Sequence, residues 1–231
     1  MFGAIASLSN LIYPPQCLGC RAAGSFLCGR CSCLWSGRPI YSQLSGVRML
    51  TTTKYSGQVA PIVLAAKEQG SLAARQILAD SIARSIQALL TESASNPCQA
   101  VLVNIPSRAS ARRRRGENHS WALLGEVQKS LLRVDRTCPW EISLASPFRL
   151  LRRVQDQSGL DQEKRHQNLH MALTVPAEHF PILFSNNVVI VDDVVTSGST
   201  CREAIRALRE RGIAPLGVVA ACASPLYFPV R

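Results

Sequence analysis

The feature that most constrains this chain is one unbroken run, Val188-Val189-Ile190-Val191-Asp192-Asp193-Val194-Val195-Thr196-Ser197-Gly198-Ser199-Thr200. Four β-branched residues predict a buried strand, and two adjacent carboxylates stand at its end. A small hydroxyl-rich loop with one glycine then runs straight into a helix over 200–211. On that helix Ala204, Ile205 and Leu208 face inward, with Gly212 just past its end. A strand feeding a helix in this way belongs to a parallel α/β sheet, where ligands bind at the carboxyl ends of the strands. The loop's backbone N–H groups and the helix N-terminus make a cradle for a phosphate, helped by the Thr and Ser hydroxyls. Gly198 lets the backbone come close to the ligand. Two carboxylates touching that phosphate would repel it, so they suit vicinal hydroxyls or a magnesium ion. A sugar phosphate with free 2- and 3-hydroxyls satisfies both halves of the site. A strand end with a plain helix cap explains Ser199 or Thr200 but not the acid pair.

The rest of the chain repeats the alternation of strand and helix. Ala100 to Ile105 reads as a buried strand closed by Pro106, and Leu216 to Ala221 as a final strand. Val59 to Lys67 and Ser71 to Leu90 read as helices; in the second, Leu78, Ile82, Ile86 and Leu90 form one apolar stripe. A further helix is predicted over 120–132 and a strand over 148–154, while 37–57 reads as irregular to strand-like. Residues 155–168 are polar and charged, unlike their neighbours. Short apolar strands alternating with amphipathic helices predict an α/β fold with a parallel sheet covered on both faces.

The cysteines form a second pattern. Five of nine lie between Cys17 and Cys33, and Cys17, Cys20, Cys28 and Cys31 make two C-x-x-C pairs. Each pair turns two sulfurs toward one point, and two pairs supply the four thiolates of a tetrahedral zinc site. Cys33 is a spare that can replace Cys31. A redox pair and a rubredoxin-type iron site are the alternatives, and the doubling favours structural zinc. Four thiolates leave no open position, which assigns the metal to folding rather than catalysis. Cys98, Cys138, Cys201 and Cys222 read as ordinary thiols.

Composition bounds the partners. The chain has 26 Lys plus Arg against 15 Asp plus Glu, a net charge of +11, and 47% hydrophobic residues. That apolar content excludes a disordered polycation. The charge has two sources: a stretch before Glu68 without any acid, and Arg108 with Arg112 to Arg115. No apolar run reaches the roughly 18–20 residues of a membrane span. Met1 to Ile12 lacks a basic n-region and reads as one short amphipathic helix docked on the protein, with a membrane-surface anchor as the alternative. A cytoplasmic location is expected.

The run from Val188 to Thr200 resembles the signature for 5-phosphoribosyl-1-diphosphate (PRPP) in type I phosphoribosyltransferases. The resemblance implies that Asp192 and Asp193 meet the ribose hydroxyls in catalysis. It implies that Val195, Thr196, Ser197, Gly198, Ser199 and Thr200 hold the 5-phosphate, with Mg2+ arriving with PRPP. Tyr55 and Lys67, Ile105-Pro106, Arg115-Gly116 with Asn118, then Gln157, Arg165 and Asn168 follow in an order similar to the competence protein ComF family. Glu68 and Glu117 stand where that family commonly has aromatics, and His119 where it often has Gln. The implied layout is an N-terminal helix and four-cysteine zinc module over 1–40, then a phosphoribosyltransferase-like domain over 41–231. Arg115 and Gly116 are implied at the diphosphate, and Arg165 and Asn168 in a hood that closes over the site.

Three functions compete. The first is an enzyme that displaces diphosphate from PRPP with an unidentified acceptor. The second is a non-catalytic PRPP-sensing or partner-binding module, whose partners by resemblance are DNA-uptake and recombination proteins. Direct nucleic-acid binding ranks last, because no aromatic residues interleave the arginine run and only Trp121 is near.

Overall fold

The computed structural model describes residues 15–93, 99–106, 118–134, 140–151 and 171–228. The strands are β1 (Ile40–Leu44), β2 (Val47–Lys54), β3 (Gln99–Asn104), β4 (Glu141–Ala145), β5 (Arg149–Leu150), β6 (Leu173–Thr174), β7 (Asn187–Val195) and β8 (Gly217–Ala223). The helices are α1 (Gly29–Cys33), α2 (Ala60–Glu68), α3 (Leu72–Ser93), α4 (His119–Val134), α5 (Phe180–Phe184) and α6 (Ser199–Arg209). One sheet runs in the order β1-β2-β8-β7-β3-β4, and β5 pairs with β6 apart from it. Only the edge pair β1–β2 is antiparallel; the other neighbours in the large sheet are parallel. The α/β fold expected from the sequence is therefore the fold observed.

β7 and β8 are central and buried on both faces, which is why Val188 to Val191 and β8 are continuous apolar runs rather than alternating ones. Helices α2, α3 and α4 cover one face, packing on Leu50, Leu102, Val189 and Val219. Helices α5 and α6 cover the other, packing on Met49, Val103, Ile190 and Val218. The α3 stripe is real: Leu78, Ile82 and Ile86 are fully buried. Truncating any one of these to Ala would cost about 2–5 kcal/mol. Ser81, on the same buried side, donates to the Ala221 carbonyl of β8 at 3.2 Å and hydrogen-bonds Thr52, fixing the helix on the sheet.

Two differences from the sequence reading have physical causes. β7 runs on through both acids to Val195, because its edge stays paired with Ala220, Cys222 and Ala223 of β8. β4 is half-exposed at the sheet edge, so its residues lack the buried apolar signature that marks β3 and β7. Of the strand expected over 148–154, the described part contains the two-residue β5, with Leu151 N–H donating to the Ala172 carbonyl, and 152–154 lie outside the described residues. The N-terminal helix over Met1 to Ile12, Cys98, Cys138 and the polar segment 155–168 lie outside the described residues.

The cysteine segment is not an isolated bead. Leu18, Leu27 and Leu34 pack against the α2–α4 core beside the buried Trp35. Thr53 of β2 donates to the Leu34 carbonyl at 2.5 Å, and Arg84 of α3 to that of Trp35. No helix among the described residues is long and apolar enough to cross a membrane.

Candidate functional site

Because side chains alternate along a strand, the two adjacent acids point to opposite faces of the sheet. Asp192 turns toward α6, where the Cys201 thiol lies 3.6 Å from its Oδ2. Asp193 turns toward α2 and α4 and is 5% exposed. Its Oδ2 meets Lys67 Nζ at 2.9 Å and His119 Nε2 at 3.3 Å, while its Oδ1 accepts the Val194 N–H at 2.8 Å. Lys67 closes α2 and His119 opens α4, so the sheet end is held from two helices. Tyr55, just past β2, stands in the field of the same groups, and burial pushes its phenol up.

These surroundings divide the pair electrically. Burial works against charge on Asp193, yet Lys67 and then His119 outweigh it and hold its pKa below the ordinary carboxylate range. Asp192 is pushed up to about 7, first by burial and then by the neighbouring Asp193 charge. One acid is thus a settled carboxylate, and the other is poised to hold a proton. Asp192 Oδ1 accepts the Asp193 N–H at 2.9 Å, and its Oδ2 faces only a weak thiol donor among the described residues. Burial, then the Asp192 charge, raises the Cys201 thiol well above its ordinary value, so it is no nucleophile.

The loop beyond β7 places Thr196 in solvent and buries Gly198 and Ser199. Helix α6 begins at Ser199, with Gly198 as its N-cap at φ 74°. Ser199 and Thr200 therefore stand inside the first turn, where their N–H groups have no intrahelical acceptor. The first turn carries no acidic residue, which keeps the positive end of the helix available to an anion. The Ser197 and Ser199 hydroxyls lie 3.0 Å apart at its mouth. Asn104, at the carboxyl end of β3, is 1% exposed, and neither amide atom has a hydrogen-bond partner among the described residues. It pairs with Val191 and so shares the Asp193 face. His119 Nδ1 and Asn118 Oδ1 are likewise buried without a partner there.

The metal-type cysteines converge as their spacing predicts. The sulfurs of Cys17, Cys20, Cys28 and Cys31 lie within 4.8 Å of one another, and Cys33 is exposed outside the group. Tetrahedral coordination at about 2.3 Å per Zn–S bond asks for sulfur separations near about 3.8 Å, so the four fit such an ion. Although burial opposes it, the N–H groups of Cys28, Cys20 and Gly19 lower Cys17 to about 6, which favours a thiolate. Cys31 is pushed up to about 12 by burial and by its neighbouring thiols, the load a cation would relieve. A Cβ on Gly19 would come within 2.8 Å of Cys31 Sγ and 2.9 Å of the Gln58 carbonyl oxygen, so only glycine fits between the sulfurs and the body of the protein.

Sequence reasoning missed three partners of the site: Lys67 as the partner of Asp193, and Arg202 and Tyr227 as donors to the Ser197 carbonyl. No local pattern marks them, since each comes from a different element. The sequence marks His119 only as standing next to Asn118 where the resembled family often has Gln, and its contact with Asp193 emerges only in the fold. Arg115, Gly116, Gln157, Arg165 and Asn168 lie outside the described residues.

Comparison with known families adds one match. The model of the phosphoribosyl transferase domain matches residues 123–227, the part that contains β7, the acid pair, the loop and α6. That part of the chain is phosphoribosyltransferase-like. Compared with curated proteins, the chain matches none.

Proposed function

We propose that the carboxyl end of β7 binds PRPP and that the protein transfers the phosphoribosyl group to an acceptor with release of diphosphate, as a cytoplasmic enzyme. The observation that carries this reading is the join of an under-coordinated carboxylate, Asp192, to a glycine-capped helix N-terminus, within a segment matched by the phosphoribosyl transferase domain. Asp192 accepts hydrogen bonds from the ribose hydroxyls. The loop from Val195 to Thr200 holds the 5-phosphate with backbone N–H groups and hydroxyls. Asp193, on the other face of β7, holds Lys67 and His119 at the strand end.

Mg2+ bound to PRPP would neutralise part of the diphosphate charge. Arg115, Gly116, Arg165 and Asn168 are proposed as further contacts to the diphosphate and in the hood. The protein's own contribution is positioning and a preorganised field rather than one strong base. The Cys17, Cys20, Cys28 and Cys31 group takes structural zinc and lies outside this chemistry.

Calorimetry with Mg2+–PRPP tests the reading. Binding by the wild type that disappears in the Asp192→Asn, Asp193→Asn double variant is expected; undiminished affinity in that variant sinks the assignment. Diphosphate release is then measured with a panel of nucleobases and amines. Tight binding without turnover would move the conclusion to a PRPP-sensing module that serves DNA-uptake and recombination partners.

A further inference from the structure

The outward face of the phosphate loop is set by two side chains that lie beyond the loop itself. The Ser197 carbonyl accepts from Arg202 Nη1 at 2.5 Å and from Tyr227 Oη at 2.8 Å, and Arg202 Nη2 lies 3.5 Å from that same hydroxyl. Arg202 stands in the first turns of α6, and Tyr227 in the single 3-10 turn Pro225–Tyr227 that follows β8. Two donors, one of them charged, fill the two lone pairs of one carbonyl oxygen.

The peptide plane carries that constraint across to the ligand side. In a trans peptide the C=O and the next N–H point in opposite directions. A Ser197 carbonyl pinned toward Arg202 and Tyr227 therefore turns the Gly198 N–H the other way. Two constraints reserve this position for glycine. Its φ of 74° favours glycine, and a Cβ would overlap the Tyr227 hydroxyl and lie 2.8 Å from Leu44 Cδ1 and 3.1 Å from Arg202 Nη1. The Gly198 carbonyl is in turn used by α6, accepting the Arg202 N–H at 2.8 Å. Both carbonyls flanking the Gly198 residue are thus occupied, and its N–H is the group left to aim.

We propose that Arg202 and Tyr227 are positioning residues for a sugar phosphate monoester: they lock the Ser197–Gly198 peptide so that its N–H faces the phosphate at the start of α6. The proposal rests on the PRPP reading above. Neither side chain touches the ligand; both act through a carbonyl, and their effect is preorganisation of a donor that would otherwise rotate.

Calorimetry with ribose 5-phosphate, PRPP and inorganic diphosphate separates this from a general structural role. Tyr227→Phe removes one donor with almost no change of shape. It is expected to weaken ribose 5-phosphate and PRPP by the same factor, about three- to tenfold, and to leave diphosphate binding as in the wild type. Arg202→Met is expected to lose more, with Arg202→Lys recovering part of the loss. The Gly198 amide resonance supplies a readout that survives a small change in stability. It should shift strongly when ribose 5-phosphate is added to the wild type, and much less in Tyr227→Phe. Unchanged ribose 5-phosphate affinity in Tyr227→Phe and Arg202→Met, or an equal loss of diphosphate binding, overturns the proposal while the PRPP reading stands. A wild type that binds neither PRPP nor ribose 5-phosphate overturns both.

Discussion

Lys67 Nζ, at the end of α2, lies 2.9 Å from Asp193 Oδ2 at the end of β7. The carboxylate is almost wholly buried and the lysine side chain is 34% exposed, so the two partners do not lose equally when the pair is broken. Removing the lysine strands a buried charge, whereas removing the acid returns the lysine to water.

Lys67→Met should therefore destabilise the protein by about 1–3 kcal/mol, below the full cost of breaking a wholly buried pair because water reaches the lysine. His119 and the Val194 N–H remain to the carboxylate. Adding Asp193→Asn to Lys67→Met should recover part of the loss. Urea unfolding of the four members of this cycle checks it; strictly additive effects would mean that the pair carries no coupling.

The acids also set opposite pH dependences. The folded pKa of Asp192 is raised from 3.8 to about 7, so the folded state keeps a proton that the unfolded chain has already released. Its stabilising contribution is complete below pH 3.8 and is lost as pH rises through about 7. Asp193 is lowered, so its contribution is present above 3.8 and is lost as pH falls below that value. Without ligand, Asp192→Asn should gain stability over the wild type between pH 5 and pH 7, with a slope of up to about 1.4 kcal/mol per pH unit. Unfolding free energies at four pH values measure this, and a flat difference refutes it.

The cysteine group predicts a metal dependence of its own. Wild-type protein should carry about one zinc per chain, and Cys17→Ser or Cys31→Ser should lose it. Cys33→Ser should keep it, since Cys33 stands outside the cluster. Gly19→Ala should behave like a ligand variant, because its Cβ has no room beside Cys31 Sγ. Because Leu18, Leu27 and Leu34 rest on the main core, chelation should lower the melting temperature of the whole protein and not only loosen its amino end. Metal analysis and thermal melts with and without chelator decide the point.

What the sequence disclosed follows from where the chemistry is written. The loop after β7 and the paired cysteines are contiguous, so spacing alone is informative: the loop does run straight into a helix, and the four sulfurs do converge. The burial patterns of β3, β7 and β8 are equally plain, because central strands of a parallel sheet must be apolar on both sides. The division of the acid pair was not legible in roles, although strand alternation requires it in geometry. Its meaning depends on Lys67 and His119, which arrive from other helices. The helix begins at Ser199 rather than Thr200, with Gly198 as its left-handed N-cap, where Tyr227 and Leu44 from distant segments leave no room for a side chain.

Asn104 offers the sharpest separation of stability from function. Its amide is buried with no partner for either polar atom among the described residues, on the sheet face shared with Asp193. An unpaired buried polar group costs about 1–3 kcal/mol, and replacing it by an apolar group of similar shape removes that cost. If the amide is reserved for a ligand at the strand ends, Asn104→Leu should raise the unfolding free energy by about 1 kcal/mol while weakening PRPP about tenfold or more. A structural asparagine would behave in the opposite way, with stability falling and affinity intact. Urea unfolding and PRPP calorimetry on this one variant distinguish the two, because the two measurements must move in opposite directions for the site assignment to hold.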